Sequence, residues 1–329
     1  MQISREENVM QIKGKNIVSG VCFLLGLLFL LMTASLFFQP KNNTETHGME
    51  DVKANGILGE PEETIDVLFI GDSVSYCSVI PVQIWRDYGI TSYMCGTSLQ
   101  QLYYSKEFLY KTFETQSPKI VMLEGTPIFN NFMYKENIRM EVERMLPVFR
   151  YHDRWKTFGT MLQLDTDLQV EYTHQESSKG YYYSPAVEVV EAGDYTKPTD
   201  EVAGILSDNK RTLVEIMEFC EEKGAELILY SAPNTLTWTP AGHNALVQLA
   251  EELGLTYFDM NYMPKEVPID WSVDSFDGGD HLNYAGAQKV TAYLGRYLAE
   301  KAIFEDKRGD ERYKSWEDAK KEFYQSVAN

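Results

Sequence analysis

The stretch Ile65-Asp66-Val67-Leu68-Phe69-Ile70-Gly71-Asp72-Ser73 decides the reading of this chain. Its short apolar run stops at a glycine, the pattern of a strand buried within a sheet. Gly71 lets the backbone turn tightly without a Cβ clash, and Ser73 stands where a strand hands over to a helix. In an open parallel sheet, reactive groups gather at the carboxyl ends of the strands. Ser73 is therefore a candidate nucleophile, with its own backbone N–H available to a developing oxyanion. Gly-Asp-Ser is also a common turn composition, so the tripeptide needs a partner elsewhere in the chain.

Outward from this stretch the pattern alternates. A helix is expected over Val79–Tyr88 with Pro81 in its first turn, then a strand at Ile90–Met94, a helix at Ser98–Thr115 and a strand at Lys119–Leu123. Residues 126–200 are rich in Tyr, Phe and Trp and lack a clean period outside a helix at Lys135–Phe149. They read as an insertion that covers or borders the site. The alternation resumes with a helix at Asp200–Lys223, a strand at Glu226–Tyr230, a helix at Ala241–Leu253, a strand at Leu255–Phe258 and a closing helix at Tyr284–Ala299. Strands alternating with helices argue for an α/β sandwich around a parallel sheet.

The partner for Ser73 lies just before the closing helix, in Asp277-Gly278-Gly279-Asp280-His281-Leu282-Asn283. A serine hydroxyl is barely nucleophilic at neutral pH without a base. His281, one of five histidines in the chain, supplies one if a carboxylate fixes its tautomer and stabilises the imidazolium. Asp277 and Asp280 are both near enough; Asp277 is preferred, because in extended chain adjacent side chains point apart. The plainer reading makes Asp280 or Asn283 a helix cap and His281 incidental.

On these two blocks the chain resembles the SGNH/GDSL hydrolases, over roughly residues 65–300. The resemblance implies a flavodoxin-like three-layer sandwich, no cofactor and ester chemistry on acyl groups. Its second block implies an oxyanion glycine, for which Gly96 is the candidate. Its third block normally supplies an asparagine, and here Leu123-Glu124-Gly125-Thr126 puts Thr126 in that place. Its last block normally has Asp three residues before His, a position that Gly278 holds here. After the fourth strand, Trp238 and His243 are candidates for packing against a sugar, and Lys179-Gly180-Tyr181-Tyr182-Tyr183 for a carbohydrate platform; both stretches also suit ordinary packing.

Composition narrows the setting. With 30 Lys+Arg against 49 Asp+Glu, the chain repels phosphate backbones, which argues against nucleic acid as a partner. Cys22, Cys77, Cys95 and Cys220 form neither a CxxC nor a Cys/His metal spacing, so no metal is expected. Cys77 and Cys95 fall near the site, as a disulfide or as small buried residues. Ile17 to Phe38 carries no charge, and as a helix it spans about 33 Å, enough for a bilayer. Arg5, Lys13 and Lys15 precede it, which keeps the N-terminus cytoplasmic and everything after Pro40 outside. A cleaved signal peptide would have a shorter apolar region and a small-residue cleavage site.

The expected organisation is a cytoplasmic tail at 1–16, a transmembrane anchor at 17–38, a linker at 39–64, a hydrolase-like domain at 65–304 and an exposed, charged, partly helical tail at 305–329. The resemblance, taken with the anchor, implies a serine-dependent esterase or O-acyltransferase at the cell membrane, acting outside the cytoplasm on acyl groups, acetyl above all, of a polysaccharide or another ester. Transfer would call for a membrane partner that donates the acyl group. The rival is a non-catalytic carbohydrate-binding or assembly protein on the same fold.

Overall fold

The computed structural model describes residues 2–157 and 170–328, so residues 158–169 of the expected insertion lie outside the described residues. The chain divides into two compact units, one formed by Glu50–Phe132 with Tyr172–Asn329, the other by Met1–Met49 with Met133–Glu171.

The first unit is built on a five-stranded sheet of β1 (Val67–Gly71), β2 (Ser92–Gly96), β3 (Ile120–Glu124), β4 (Glu226–Ser231) and β5 (Thr256–Asp259). The strands are parallel, in the order β2-β1-β3-β4-β5, the flavodoxin-like arrangement. The central strands β1 and β3 are buried on both faces because helices cover both. Leu68, Ile70, Val121, Leu123, Leu227 and Leu229 face one side, with Leu102 and Leu109, Leu213 and Ile216, and Leu246 and Leu249. These come from the helices Leu102–Thr112, Ser207–Lys223 and Pro240–Leu253. Val67, Phe69, Ile120, Met122 and Ile228 face the other, with Ile84 of Pro81–Tyr88 and Val290, Leu294 and Leu298 of Tyr284–Glu300. The order of neighbours reverses between β1 and β3, so a crevice opens there at the carboxyl ends of the strands.

Two expectations about the flanks need correcting. Residues 39–64 are not a bare tether. From Glu50 onward they belong to the first unit, where the short helix Val52–Asn55 buries Ala54 and Asn55. The Tyr93 hydroxyl donates to Lys53 O at 2.8 Å and pins that helix to β2. Nor is 305–329 an exposed tail: it ends in the helix Lys314–Ala328, which buries Trp316, Ala319 and Phe323. Trp316 packs on Trp85 at 5.7 Å and lies under the Lys179 ammonium at 4.7 Å. Lys179 is itself fully buried and paired with Glu60 at 2.6 Å. That pair fixes the chain between Tyr172 and Asp200 to the edge of the sheet, where Met94 N donates to Lys179 O.

In the other unit, the helix Gln2–Phe38 contains Lys15–Phe38, a stretch long and apolar enough to cross a membrane. Its side chains face outward, Phe23 and Phe29 each 69% exposed. Apolar surface of that extent belongs in lipid or in a signal sequence rather than in water. The expected helix Lys135–Phe149 is two pieces, Tyr134–Met145 and Val148–Tyr151, broken at Pro147, which has no backbone N–H to carry the helix through.

Candidate active site

Ser73 begins the one-turn helix Ser73–Tyr76 directly after β1. Asp72 caps that turn, its Oδ1 accepting from Val74 N at 3.0 Å. Gly71 must be glycine, since a Cβ there would lie 2.5 Å from Ser75 Cβ and 2.8 Å from Glu124 Cβ. The Ser73 N–H donates to no protein acceptor among the described residues. Beside it, Gly96 ends β2 in register with Gly71. A Cβ at Gly96 would press on Gly71 O at 3.0 Å and on the Tyr76 ring at 3.2 Å.

The histidine block is a turn made by two left-handed glycines, Gly278 (φ 80°) and Gly279 (φ 95°). This turn folds Asp277 back onto His281 across a four-residue spacing. Asp277 Oδ1 accepts from His281 N at 2.8 Å, and its Oδ2 pairs with His281 Nδ1. Asp280 Oδ2 is farther, 3.7 Å from Nδ1. Asp280 is instead held by Asn234, whose Nδ2 donates to its Oδ1 at 2.9 Å and to its backbone O at 2.6 Å. Asn283 caps the helix Tyr284–Glu300, so capping explains Asn283 but neither aspartate. With Nδ1 committed, His281 Nε2 is buried and has no hydrogen-bond partner among the described residues.

Rings and charges connect the two blocks. Phe276 stacks on the His281 imidazole (centroids 5.7 Å apart, planes at 17°), Tyr182 lies against Phe276 at 6.2 Å, and Tyr76 against Tyr182 at 5.9 Å. Tyr182 N also donates to Tyr76 O at 2.9 Å, so the segment read as a carbohydrate platform forms a wall between the serine and histidine blocks. The Lys53 ammonium sits over Tyr182 at 5.1 Å. Lys53 and Tyr182, together with Gly96, Thr97, Tyr76 and Ala54, line a cavity of about 280 Å³. Burial raises the Asp72 carboxyl to about 6, against its bond from Val74 N and the opposing pull of the His281 charge. Burial likewise pushes the Tyr76 phenol up to about 12.

Other candidates are placed differently. The Thr126 N–H donates to Glu124 Oε2 at 2.7 Å, and the Thr126 hydroxyl hydrogen-bonds Glu124 as well, so both donors are turned to that carboxyl. Trp238 and His243 do come together, at the end of β5. Trp238 Nε1 and His243 Nδ1 each approach Asp259 Oδ2 at 2.8 Å, and the Tyr257 hydroxyl donates to it at 3.1 Å. Tyr195 and Tyr262 pack edge-on against Trp238. The polar atoms of this cluster serve Asp259 and its rings serve one another. Cys77 and Cys95 are buried free thiols, raised by burial, Cys77 well above the usual range.

Three residues escaped the sequence reading: Glu124, Asn234 and Phe276. Glu124 and Asn234 are brought to the site only by the fold, whereas Phe276 directly precedes the histidine block, where no pattern singles out a phenylalanine. Asp277, Asp280 and His281 offer donor atoms within 4.8 Å of one another, the spacing of a metal site. Both Asp277 oxygens are turned to His281 and Asp280 Oδ1 to Asn234, which suits orientation of the imidazole.

No protein-family model and no curated protein matches the sequence. Solved structures do. A GDSL-like lipase from Bacteroides thetaiotaomicron shares 13% identity over 72% of this chain and 88% of its own, with a TM-score of 0.38. The psychrotrophic esterase EstA from Pseudoalteromonas shares 9% over 73% and 100%, with a TM-score of 0.38. An acetyl xylan esterase shares 12% over 73% and 100%, also at 0.38. The parallel sheet and its strand order are those of a flavodoxin-like α/β sandwich, with Ser73 directly after β1 and the His281 block directly before the last helix of that sandwich.

Proposed function

We propose that this chain is a serine-dependent esterase or O-acyltransferase, with Ser73 as nucleophile and His281 as base. The observation that carries the proposal is the orientation of His281: Nδ1 engaged by Asp277, Nε2 buried and without a partner. A neutral imidazole that donates from Nδ1 must accept at Nε2, which is the tautomer a general base needs. Ser73 Oγ gives its proton to Nε2 as it attacks the ester carbonyl. His281 returns that proton to the leaving alcohol, and Asp277 stabilises the imidazolium in between. Water or a sugar hydroxyl then takes the acyl group by the same steps in reverse. The N–H groups of Ser73 and Gly96 are the oxyanion donors in this scheme, a hole of two rather than three.

The substrate we infer is acylated polysaccharide outside the cytoplasm, with acetyl as the acyl group. Support comes from the apolar N-terminal helix behind three basic residues and from a pocket of about 280 Å³ beside Gly96, roomy enough for an acylated sugar unit. A fluorophosphonate probe applied to the full chain in membranes tests the core of this reading. The parent should label and Ser73→Ala should not. Release of acetate from acetylated glycans, or its transfer to unmodified ones, then separates hydrolase from transferase.

One observation favours a second reading, a carbohydrate-binding protein without catalysis: Thr126 stands where the third oxyanion donor would be, and both its N–H and its hydroxyl are turned to Glu124. Losing one such donor can cost about 2.7–4 kcal/mol of transition-state stabilisation. A parent chain that binds acetylated glycan but takes no fluorophosphonate label would be this protein.

A further inference from the structure

Glu124 is a carboxyl that the scheme above does not use, yet it lies at the centre of the fold's crevice. It ends β3, beside β1 at the reversal of strand order, and is 1% exposed. Its side chain lies against the backbone that presents Ser73, its Cβ being 2.8 Å from where a Gly71 Cβ would stand. Its Oε2 closes the following turn by accepting from Thr126 N. Ser75, one residue pair along the nucleophile's own helix, hydrogen-bonds the Tyr230 hydroxyl at 2.5 Å on the same face of the sheet. Glu124 is thus the common support of the Gly71-Asp72-Ser73 turn and the Gly125-Thr126 turn.

We propose that Glu124 is a positioning residue that works in its protonated form, backing the Ser73 turn while adding no charge beneath the oxyanion site. This rests on the serine mechanism proposed above. Two buried carboxyls, Asp72 and Glu124, stand under a site that must accept a developing negative charge, and they cannot both ionise without opposing it. The groups that face Glu124 offer no counter-charge. Asp72 comes from the β1 turn, Tyr230 from β4 and Tyr257 from β5, and burial holds both phenols neutral. His281 and Asp280 act at one remove, through Asp72. Burial first, then the Asp72 charge, raises Glu124 to about 8. Asp72 has the Val74 N–H and the His281 charge to favour its ionised form while Glu124 has no counter-charge, so the proton of the pair is assigned to Glu124. The proton stays in place throughout the reaction.

The test compares the full chain in detergent with its Glu124→Gln and Glu124→Ala variants by rate of fluorophosphonate labelling and by melting temperature across pH. Glutamine keeps the shape and stays neutral. It should retain at least a third of the parent's labelling rate at pH 7, whereas Glu124→Ala should lose tenfold or more. Above pH 8 the parent's rate should fall at least fivefold and that of Glu124→Gln should not. The parent should also lose melting temperature relative to Glu124→Gln as pH rises from 5 to 8. The proposal is overturned if Glu124→Gln is as damaged as Glu124→Ala at pH 7, or keeps the parent's alkaline fall. A melting difference that does not change with pH overturns it too. If neither the parent nor Ser73→Ala labels at any pH, the serine mechanism has failed, and the melting comparison alone decides the proton on Glu124.

Discussion

Asp277 gives both carboxylate oxygens to His281, while Asp280 turns one of its own to Asn234 and stands 3.7 Å from the imidazole. The two aspartates should therefore part company under mutation. Asp277→Asn should lower kcat/KM by about 10⁴-fold through the wrong tautomer, as in other triads. Asp280→Asn should cost less than about tenfold, since the Asn234 contact to its backbone oxygen survives. Steady-state kinetics on an acetyl ester decide it, and the reverse ranking would hand the role to Asp280. Ser73→Ala should abolish turnover and change stability by only about 0.5–1 kcal/mol, because the cap of that turn is the Asp72 side chain. His281→Ala on top of it should add almost nothing, since the two act as one unit. Retained turnover in Ser73→Ala would remove it as nucleophile. Ser73, Asp277 and His281 were legible as candidates because each sits in a short block whose chemistry is local. Glu124 and Asn234 were not, because a glutamate ending a strand or an asparagine after Pro233 means nothing until four segments meet.

The helices and strands show the same division between local and distant information. The strands were readable because parallel strands buried on both faces are near-continuous apolar runs, as in Val67-Leu68-Phe69-Ile70 and Ile120-Val121-Met122-Leu123. The helix Lys314–Ala328 was misread as exposed because its charges dominate the composition, while Trp316, Ala319 and Phe323 recur on its inner side. That inner side makes a strong prediction. Trp316 is fully buried against Trp85 and beneath the Lys179–Glu60 pair, so Trp316→Ala leaves a cavity under a buried charge. The expected loss is about 3–5 kcal/mol, the range for large aromatic deletions in cores. Denaturant unfolding of the variant measures it, and a loss under about 1 kcal/mol would mean that the helix is dispensable. The same packing explains why the segment around Tyr181–Tyr183 can serve as a wall of the site. Lys179 anchors it at one end, and the Tyr182–Phe276–His281 rings receive it at the other.

At the scale of the whole chain, charge and hydrophobicity are distributed unevenly. The net charge of −19 is spread over the sequence, yet Ile17 to Phe38 has no charge at all and follows Arg5, Lys13 and Lys15. A helix whose apolar side chains face outward along Lys15–Phe38 is unfavourable in water and favourable in hydrocarbon, where its backbone groups are already paired. Basic residues on its N-terminal side resist translocation, so the sheet-bearing unit should lie on the far side of the membrane. A field of that sign also suits uncharged acylated glycan better than an anionic polymer. Protease added to intact spheroplasts should therefore digest the sheet-bearing unit while leaving the first residues protected. The mature chain should begin at its first residues rather than near Gln39. Protection of the sheet-bearing unit would reverse the orientation, and a mature N-terminus near residue 40 would make the helix a cleaved signal. Replacing Lys13 and Lys15 with Glu while adding lysines after Phe38 should invert a fraction of the chains. That fraction should lose access to glycan outside the membrane while keeping fluorophosphonate reactivity at Ser73 once the membrane is dissolved.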